Sequence, residues 1–342
     1  MYGVGGGSSS PVAARRAKLV HDAPCSGICV NPFPWTAPVD HAAVLIVALA
    51  IDRYVGEPPV RIHPVVWMGT AIGWARDRAP SGQVARFLYG LGMAVGLPAL
   101  FAGVLTMPAT VPWLGPVYTI WLITSCFAAR GLVNAGRRLA GHVDADELSE
   151  ARAALGWLCS RDASSLDYTA LSAAATESVV ENASDSVVAP MFWYALGGLP
   201  GLVAYRCVNT LDAMVGYRGK YEWLGKGSAR LDDLLNLLPA RLTAVGLLAM
   251  GWLVPGCSPA RGFRVLLSDR NQTSSPNAGW PMAATAGLLG VELAKAGHYT
   301  LGRGLNPASA ETLRTACRLS DWTMTGAVLA LVVTFVGAAV VM

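Results

Sequence analysis

The chain has 342 residues, of which 53% are apolar and only 14% charged, and its mean hydropathy is +0.43. Soluble globular proteins carry roughly 25% charged residues, so a string of ordinary soluble domains is excluded and a membrane protein is expected. The net charge of +4, from 26 Lys and Arg against 22 Asp and Glu, is too mild for a nucleic-acid binder relying on many phosphate contacts.

Residues 1–40 are rich in Gly, Ser and Pro, lack the apolar run of a signal peptide, and are expected to form a disordered extension. The rest, 41–342, is expected to be one membrane-embedded domain. Ala42 to Ile51 is apolar but short, a marginal first helix that starts nearer Val39, because about 20 residues are needed to cross a bilayer. His63 follows in Arg61-Ile62-His63-Pro64; a lone histidine is more often structural than catalytic.

Leu88 to Val111 contains no charge, and Val117 to Ala129 continues uncharged beyond a turn at Pro112 to Pro116, which predicts a transmembrane hairpin. Arg76, Arg78 and Arg86 precede it and Arg130, Arg137 and Arg138 follow it, so the positive-inside rule puts both flanks in the cytoplasm. From Gly131 to Ser178 the chain turns polar, with Asp144, Asp146, Glu147 and Glu150 predicted to open a soluble helix. Ser186 to Tyr205 is apolar but broken by Pro190, Gly197, Gly198, Pro200 and Gly201, a kinked span or a re-entrant pair. Leu242 to Val254 and Ala283 to Leu293 are shorter apolar runs, and Thr323 to Met342 is a further uncharged span. The expected fold is an all-α, polytopic membrane bundle with short or re-entrant segments.

Seven cysteines without zinc spacing predict reduced thiols rather than a disulfide framework, and five histidines form no ligand pair. Acids are more informative. Glu177, Glu181 and Asp185 recur at i, i+4 and i+8, drifting only ~80° around a helix, with Asn182 beside them. The plain interpretation is a solvated amphipathic helix on the membrane surface. Against it, like charges at this spacing repel unless neutralised, and a hard cation such as Mg²⁺ takes carboxylate and amide oxygens. Asn209 with Asp212, and Asp232 and Asp233 with Asn236, add two more clusters within an acid-poor chain. Ionisable groups near apolar spans tend to face water-filled cavities. Arg206, Arg218, Arg230 and Arg241 are interleaved with them, as phosphate or carboxylate ligands or as simple orientation-setting charges. Ser275-Pro276-Asn277-Ala278-Gly279-Trp280-Pro281 predicts a tight turn opening a helix, where Asn277 caps and backbone N–H groups meet an anion.

Several stretches together resemble the CobD/CbiB family of cobalamin biosynthesis, the adenosylcobinamide-phosphate synthases. They are His63-Pro64-Val65, Glu177 through Asp185, Val187-Val188-Ala189-Pro190, Tyr205-Arg206, Val208 through Tyr217, Ala229-Arg230-Leu231-Asp232-Asp233, Pro239-Ala240-Arg241 and Ser275 through Pro281. The similarity runs from about residue 42 to the end. Ser186 stands where the pattern has Gly, and Met282 where it commonly has an acid.

The resemblance implies an ATP- and Mg²⁺-dependent ligase that joins adenosylcobyric acid, a corrinoid, to 1-amino-2-propanol or its O-phosphate through an amide bond. Under it, Glu177, Glu181, Asn182, Asp185, Asp212, Asp232 and Asp233 hold Mg²⁺, and Glu181 and Asp185 act in catalysis. Arg206, Asn209, Arg230, Arg241 and Asn277 bind substrate or phosphate, and His63 assists proton transfer or lines the corrinoid site. The implied setting is the cell membrane, multi-pass, with the site facing the cytoplasm; homo-oligomerisation is left open. An intramembrane prenyltransferase using Asp-rich Mg²⁺ sites, or a transporter with broken helices, are the rival interpretations.

Overall fold

A computed structural model describes residues 38–217 and 219–341. The expected disordered extension therefore lies outside the described residues up to residue 37, as does Arg218. The first helix, α1 (Pro38–Tyr54), already begins within that expected extension.

The helices follow in order: α2 (Pro64–Arg76), α3 (Gln83–Thr106), α4 (Gly115–Cys126), α5 (Ala129–Asp144), α6 (Leu148–Leu155) and α7 (Tyr168–Ala183). After them come α8 (Ala189–Val215), α9 (Glu222–Leu235), α10 (Leu237–Met250), α11 (Pro259–Asp269), α12 (Gly279–Leu289) and α13 (Ala310–Val341). Four helical runs are long and apolar enough to cross a membrane: Gln83–Thr110, Gly115–Asp144, Tyr168–Val215 and Ala310–Val341. A fifth arises if α9 and α10, bent by 46°, count as one. The protein is an all-α, polytopic membrane bundle. Its one described sheet is a short antiparallel hairpin, β1 (Leu293–Lys295) with β2 (Tyr299–Leu301), which the apolar pattern did not reveal because three-residue strands are too short to show a period.

Both predicted spans are present, as α3 and α4 joined through a 3₁₀ turn over Met107–Thr110, but they do not pair as a hairpin: α3 packs on α8 and α9, and α4 on α1 and α8. Asp144 ends α5 rather than opening the next helix. Asp146 takes a left-handed φ of 56°, which breaks the chain there, and α6 starts only at Leu148. Asp144 is instead ion-paired with Arg314 of α13.

The surface-helix interpretation of the Glu177 region is overturned. Every residue from Leu171 to Val180 is buried, and α7 packs against α5, α6 and α13. Small residues, Ala173, Ala174 and Ala175, let those neighbours approach. A π-helical turn over Ser184–Val188 then carries α7 into α8 without a loop. The resulting 48-residue run is more than twice what one crossing needs, about 20 residues. It is interrupted at Gly198, whose φ of 59° and ψ of −151° suit only glycine, two residues before Pro200.

The main core joins α1 through α8 with α13, and a second core forms where α7, α10, α12 and the β-hairpin meet. α3 lies against both α8 and α9. Close approach to α9 depends on Gly90, because a Cβ built there would overlap the Leu224 carbonyl oxygen. Gly90→Val should therefore destabilise the protein by at least about 1–3 kcal/mol in a detergent melt. Gly96→Val on the same helix, where a Cβ meets nothing, should melt like the wild type.

Candidate active site

The central acids come from four places that the fold brings together. Glu177 and Glu181 project from α7, Asp185 from the π-turn, Asp212 from the last turn of α8, and Asp232 and Asp233 from the end of α9. Glu181, Asp185, Asp212, Asp232 and Asp233 line one cavity of about 270 Å³, closed by Asn236 and by Ser274, Ser275, Asn277 and Ala278 of the loop before α12.

These carboxylates are not equivalent. Asp232 is clamped: Asn209 Nδ2 donates to its Oδ1 at 3.3 Å and Asn236 Nδ2 to its Oδ2 at 3.0 Å. Asp233 receives the Ser275 hydroxyl at 3.3 Å. Among the described residues nothing donates to the carboxylates of Glu181, Asp185 or Asp212. Bare like charges in a space walled by apolar helices repel strongly, and their retention there points to a positively charged ligand.

Behind Asp232 runs a buried chain of hydrogen bonds. Tyr205 donates its hydroxyl to Asn236 Oδ1 at 2.9 Å, and Arg206 Nη1 donates to Asn209 Oδ1 at 3.3 Å and to the Asp185 carbonyl at 3.5 Å. Arg206 thus supports the acid wall from outside the cavity, with its Nε buried and unpartnered. Arg230 is exposed on α9 and also lies outside the lining. Arg241 stacks on Trp280, with its Cζ 4.5 Å from the ring centre, and donates to Asn277 Oδ1 at 3.2 Å. Asn277 in turn donates to the Asp233 carbonyl at 2.7 Å. The predicted capping role of Asn277 is corrected: Ala278 is the N-cap of α12, and the Asn277 side chain ties the loop to α9 instead.

Glu177 and Asn182 face a second, larger cavity of 760 Å³, which shares Glu181 and Asp185 with the first. Glu177 Oε2 accepts from Arg161 Nη2 at 2.7 Å, and Asn182 donates to the Ser178 carbonyl at 2.9 Å. Arg161, Lys295, Tyr299 and Trp157 also line this space. Burial and the charges of Glu177 and Glu181 push the Tyr299 phenol upward, so it stays a protonated donor at neutral pH. Sequence reasoning missed Arg161, Lys295 and Tyr299, because each stands alone in a polar stretch with no spacing to mark it. A third cavity of 610 Å³ adjoins through Trp157, Leu158 and Asn182 and includes Glu57. His63 Nε2 lies 3.4 Å from Glu57 Oε2, so His63 stands apart from the acid cluster.

The seven acids and amides expected to share a metal therefore divide between two connected spaces. Among the described residues no three His, Cys, Asp or Glu side chains converge as a self-sufficient metal cage. That arrangement still suits Mg²⁺, which is usually held by one or two carboxylates plus water and substrate phosphate, and which takes only hard oxygen donors of the kind present here.

Asn236 bridges the acid wall and the core. Asn236→Ala would leave the Tyr205 hydroxyl only its longer contact to the Asp185 carbonyl at 3.4 Å and take one of two amide donors from Asp232, so a loss of about 1–3 kcal/mol is expected in thermal or denaturant unfolding. An unchanged midpoint would separate this network from stability.

Comparison with known proteins bears on the same residues. A family model described as "CobD/Cbib protein" matches residues 45–320, which include every acid named above. The chain is 42% identical over 278 residues to the cobalamin biosynthesis protein CobD of Dehalococcoides mccartyi, covering 79% of this chain and 89% of that protein. It is 39% identical over 289 residues to a probable cobalamin biosynthesis protein CobD of Methanothermobacter thermautotrophicus, covering 84% and 95%. With the CobD of Klebsiella pneumoniae it shares 39% identity over 268 residues, covering 74% and 82%. No solved structure matches. With a buried acid cluster inside the matched region and this identity along most of its length, the chain belongs to the CobD/CbiB family of cobalamin biosynthesis proteins.

Proposed function

We propose that this protein catalyses ATP-dependent amide formation between adenosylcobyric acid and 1-amino-2-propanol or its O-phosphate. The observation that carries this reading is the position of Glu181 and Asp185. Both are without protein donors, and both belong to the acidic cavity and to the larger one at once. A phosphoryl-transfer side and an organic-substrate side would meet at that shared wall.

When bound, ATP would supply the phosphoryl group that activates the corrinoid carboxylate, with ADP as leaving group, and Mg²⁺ would offset the phosphate charge. Asp212, Asp232 and Asp233 are the residues that would hold the metal. Asp232 is the best ordered of them, because Asn209 and Asn236 hold both its oxygens in place. As the amine nitrogen bonds to the acyl carbon and the phosphate leaves, the nitrogen must give up a proton. Glu181 or Asp185 accepts it as general base. Asn277, fixed by Arg241, keeps the loop before α12 against α9 and limits water entry to the acid cavity. Arg206 positions Asn209 and the Asp185 backbone rather than binding phosphate itself.

The site is proposed to face the cytoplasm, where nucleotide is supplied. The basic flanks Arg76, Arg78, Arg86, Arg130, Arg137 and Arg138 support that orientation. Topology reporters fused near residues 225 and 275 should both report the cytoplasmic side; opposite sides would sink the orientation.

The activity test uses purified protein with adenosylcobyric acid, ATP and aminopropanol phosphate, and reads the amidated corrinoid by mass. Asp185→Asn and Glu181→Gln should each lower the rate by about 10²–10⁴-fold while the helical circular dichroism is kept. Wild-type rates in both variants would remove the assigned roles.

A further inference from the structure

The 760 Å³ cavity contains charges of both signs, and a site that only held a cation and a base would have no use for the positive ones. Arg161 and Lys295 line it together with Glu177, Glu181 and Asp185. Arg161 is already paired with Glu177 through Nη2. An arginine has five N–H donors and a lysine three, so most of the donor capacity of this pair is uncommitted. Among the described residues the Lys295 ammonium has no hydrogen-bond or ion-pair partner. Its charge acts on Glu177 and Glu181 through space, without a direct ion pair to either. Tyr299 pairs with Lys295 across the β-hairpin, and its hydroxyl faces the Glu177 carboxylate as a donor and the Met282 sulfur at 4.0 Å. Arg161 alone makes a direct ion pair with Glu177, which leaves the Lys295 ammonium lining the cavity without a directly bound anion among the described residues.

We propose that Arg161, Lys295 and Tyr299 form an oxyanion subsite for a substrate, holding a phosphate-monoester or carboxylate group while the rest of that substrate extends toward Glu181 and Asp185. The proposal rests on the amide-ligase reading above. A guanidinium fork with a neighbouring ammonium and phenol matches the several lone pairs of such an anion. The bare carboxylates Glu181 and Asp185 repel an anion and attract an ammonium, so a substrate bearing one of each would be held in a single direction. Two sources carry suitable chemistry: the phosphate ester of the amine substrate, and the free carboxylate of the corrinoid acid.

The test uses the full chain in detergent and the variant Lys295→Met, with Lys295→Arg as the conservative control; Lys295 lies in a surface hairpin, and a retained melting temperature verifies folding. KM and kcat are measured separately for phosphorylated amine, unphosphorylated amine and corrinoid acid. Losing one charge-assisted contact should raise one KM about tenfold or more, with kcat within about threefold and Lys295→Arg restoring most of the loss. A rise confined to the phosphorylated amine assigns the subsite to the phosphate ester. A rise confined to the corrinoid acid assigns it to the carboxylate. Unchanged KM values for all three overturn the subsite while leaving the ligase reading intact. If the wild type forms no amide, the ligase reading fails by itself. Calorimetric titration of aminopropanol phosphate and of corrinoid acid into both proteins without ATP then decides the subsite: about tenfold weaker binding of one supports it, and equal binding of both overturns it.

Discussion

Electrostatic repulsion among carboxylates held in an apolar body organises this protein. Charge is scarce along the chain, yet five acids line one small cavity, three of them without a protein donor. Ionisable groups in such surroundings are costly and persist where they serve a pathway or a ligand. The nearest basic side chains do not cancel them: Arg206 turns to Asn209 and to a backbone carbonyl, Arg241 to Asn277 and Trp280, and Arg161 to Glu177. The deficit of positive charge inside the cavity is what the divalent cation proposed above would offset.

The helical architecture makes that concentration of charge tolerable. α7 is buried nearly all round, so its two acids, Glu177 and Glu181, are fixed by packing rather than by solvent. The π-turn at Ser184–Val188 carries Asp185 without a loop, and turns of this kind recur at functional sites because they re-aim side chains at small cost. Amides do the rest. Asn209, Asn236 and Asn277 each tie an acid-bearing segment to its neighbour, which suits low-dielectric surroundings where unsatisfied polar groups are expensive.

The three cavities are contiguous in their linings: Glu181 and Asp185 join the first to the second, and Trp157, Leu158 and Asn182 join the second to the third. A corrinoid is far larger than a nucleotide phosphate chain, and a polar cleft with distinct compartments allows reacting ends to meet while bulk stays outside. Acid character is concentrated at one end, mixed charge in the middle, and Glu57 with His63 close by at the other. Family membership supplies the pathway, and this division of charge supplies the reason for reading the acid wall as the meeting point.

Much was legible in the sequence because its signals are local. Uncharged runs announced the spans, Gly198 and Pro200 announced a break, and the acid clusters at residues 177–185, 209–212 and 232–233 announced side chains that line the two connected cavities. Three matters escaped. The spacing of the acid-bearing helix left a surface helix and a cation site both open, since spacing records which side chains share a face but not what covers that face. Glu177 and Asn182 read as ligands of the same metal as Asp212 and Asp232, although helical rotation turns them toward another cavity. Arg161, Lys295 and Tyr299 carried no recognisable pattern, because the hairpin that pairs Lys295 with Tyr299 is too short to show a period and Arg161 reaches it only across a long stretch of chain. By itself the sequence determined that this is a helical membrane protein with family-specific acid motifs, since hydrophobic length and short-range spacing are properties of contiguous residues. Only the tertiary structure decided which acids stand bare, which are clamped by amides and which are paired with a cation, because those distinctions depend on neighbours that folding alone brings within hydrogen-bonding distance.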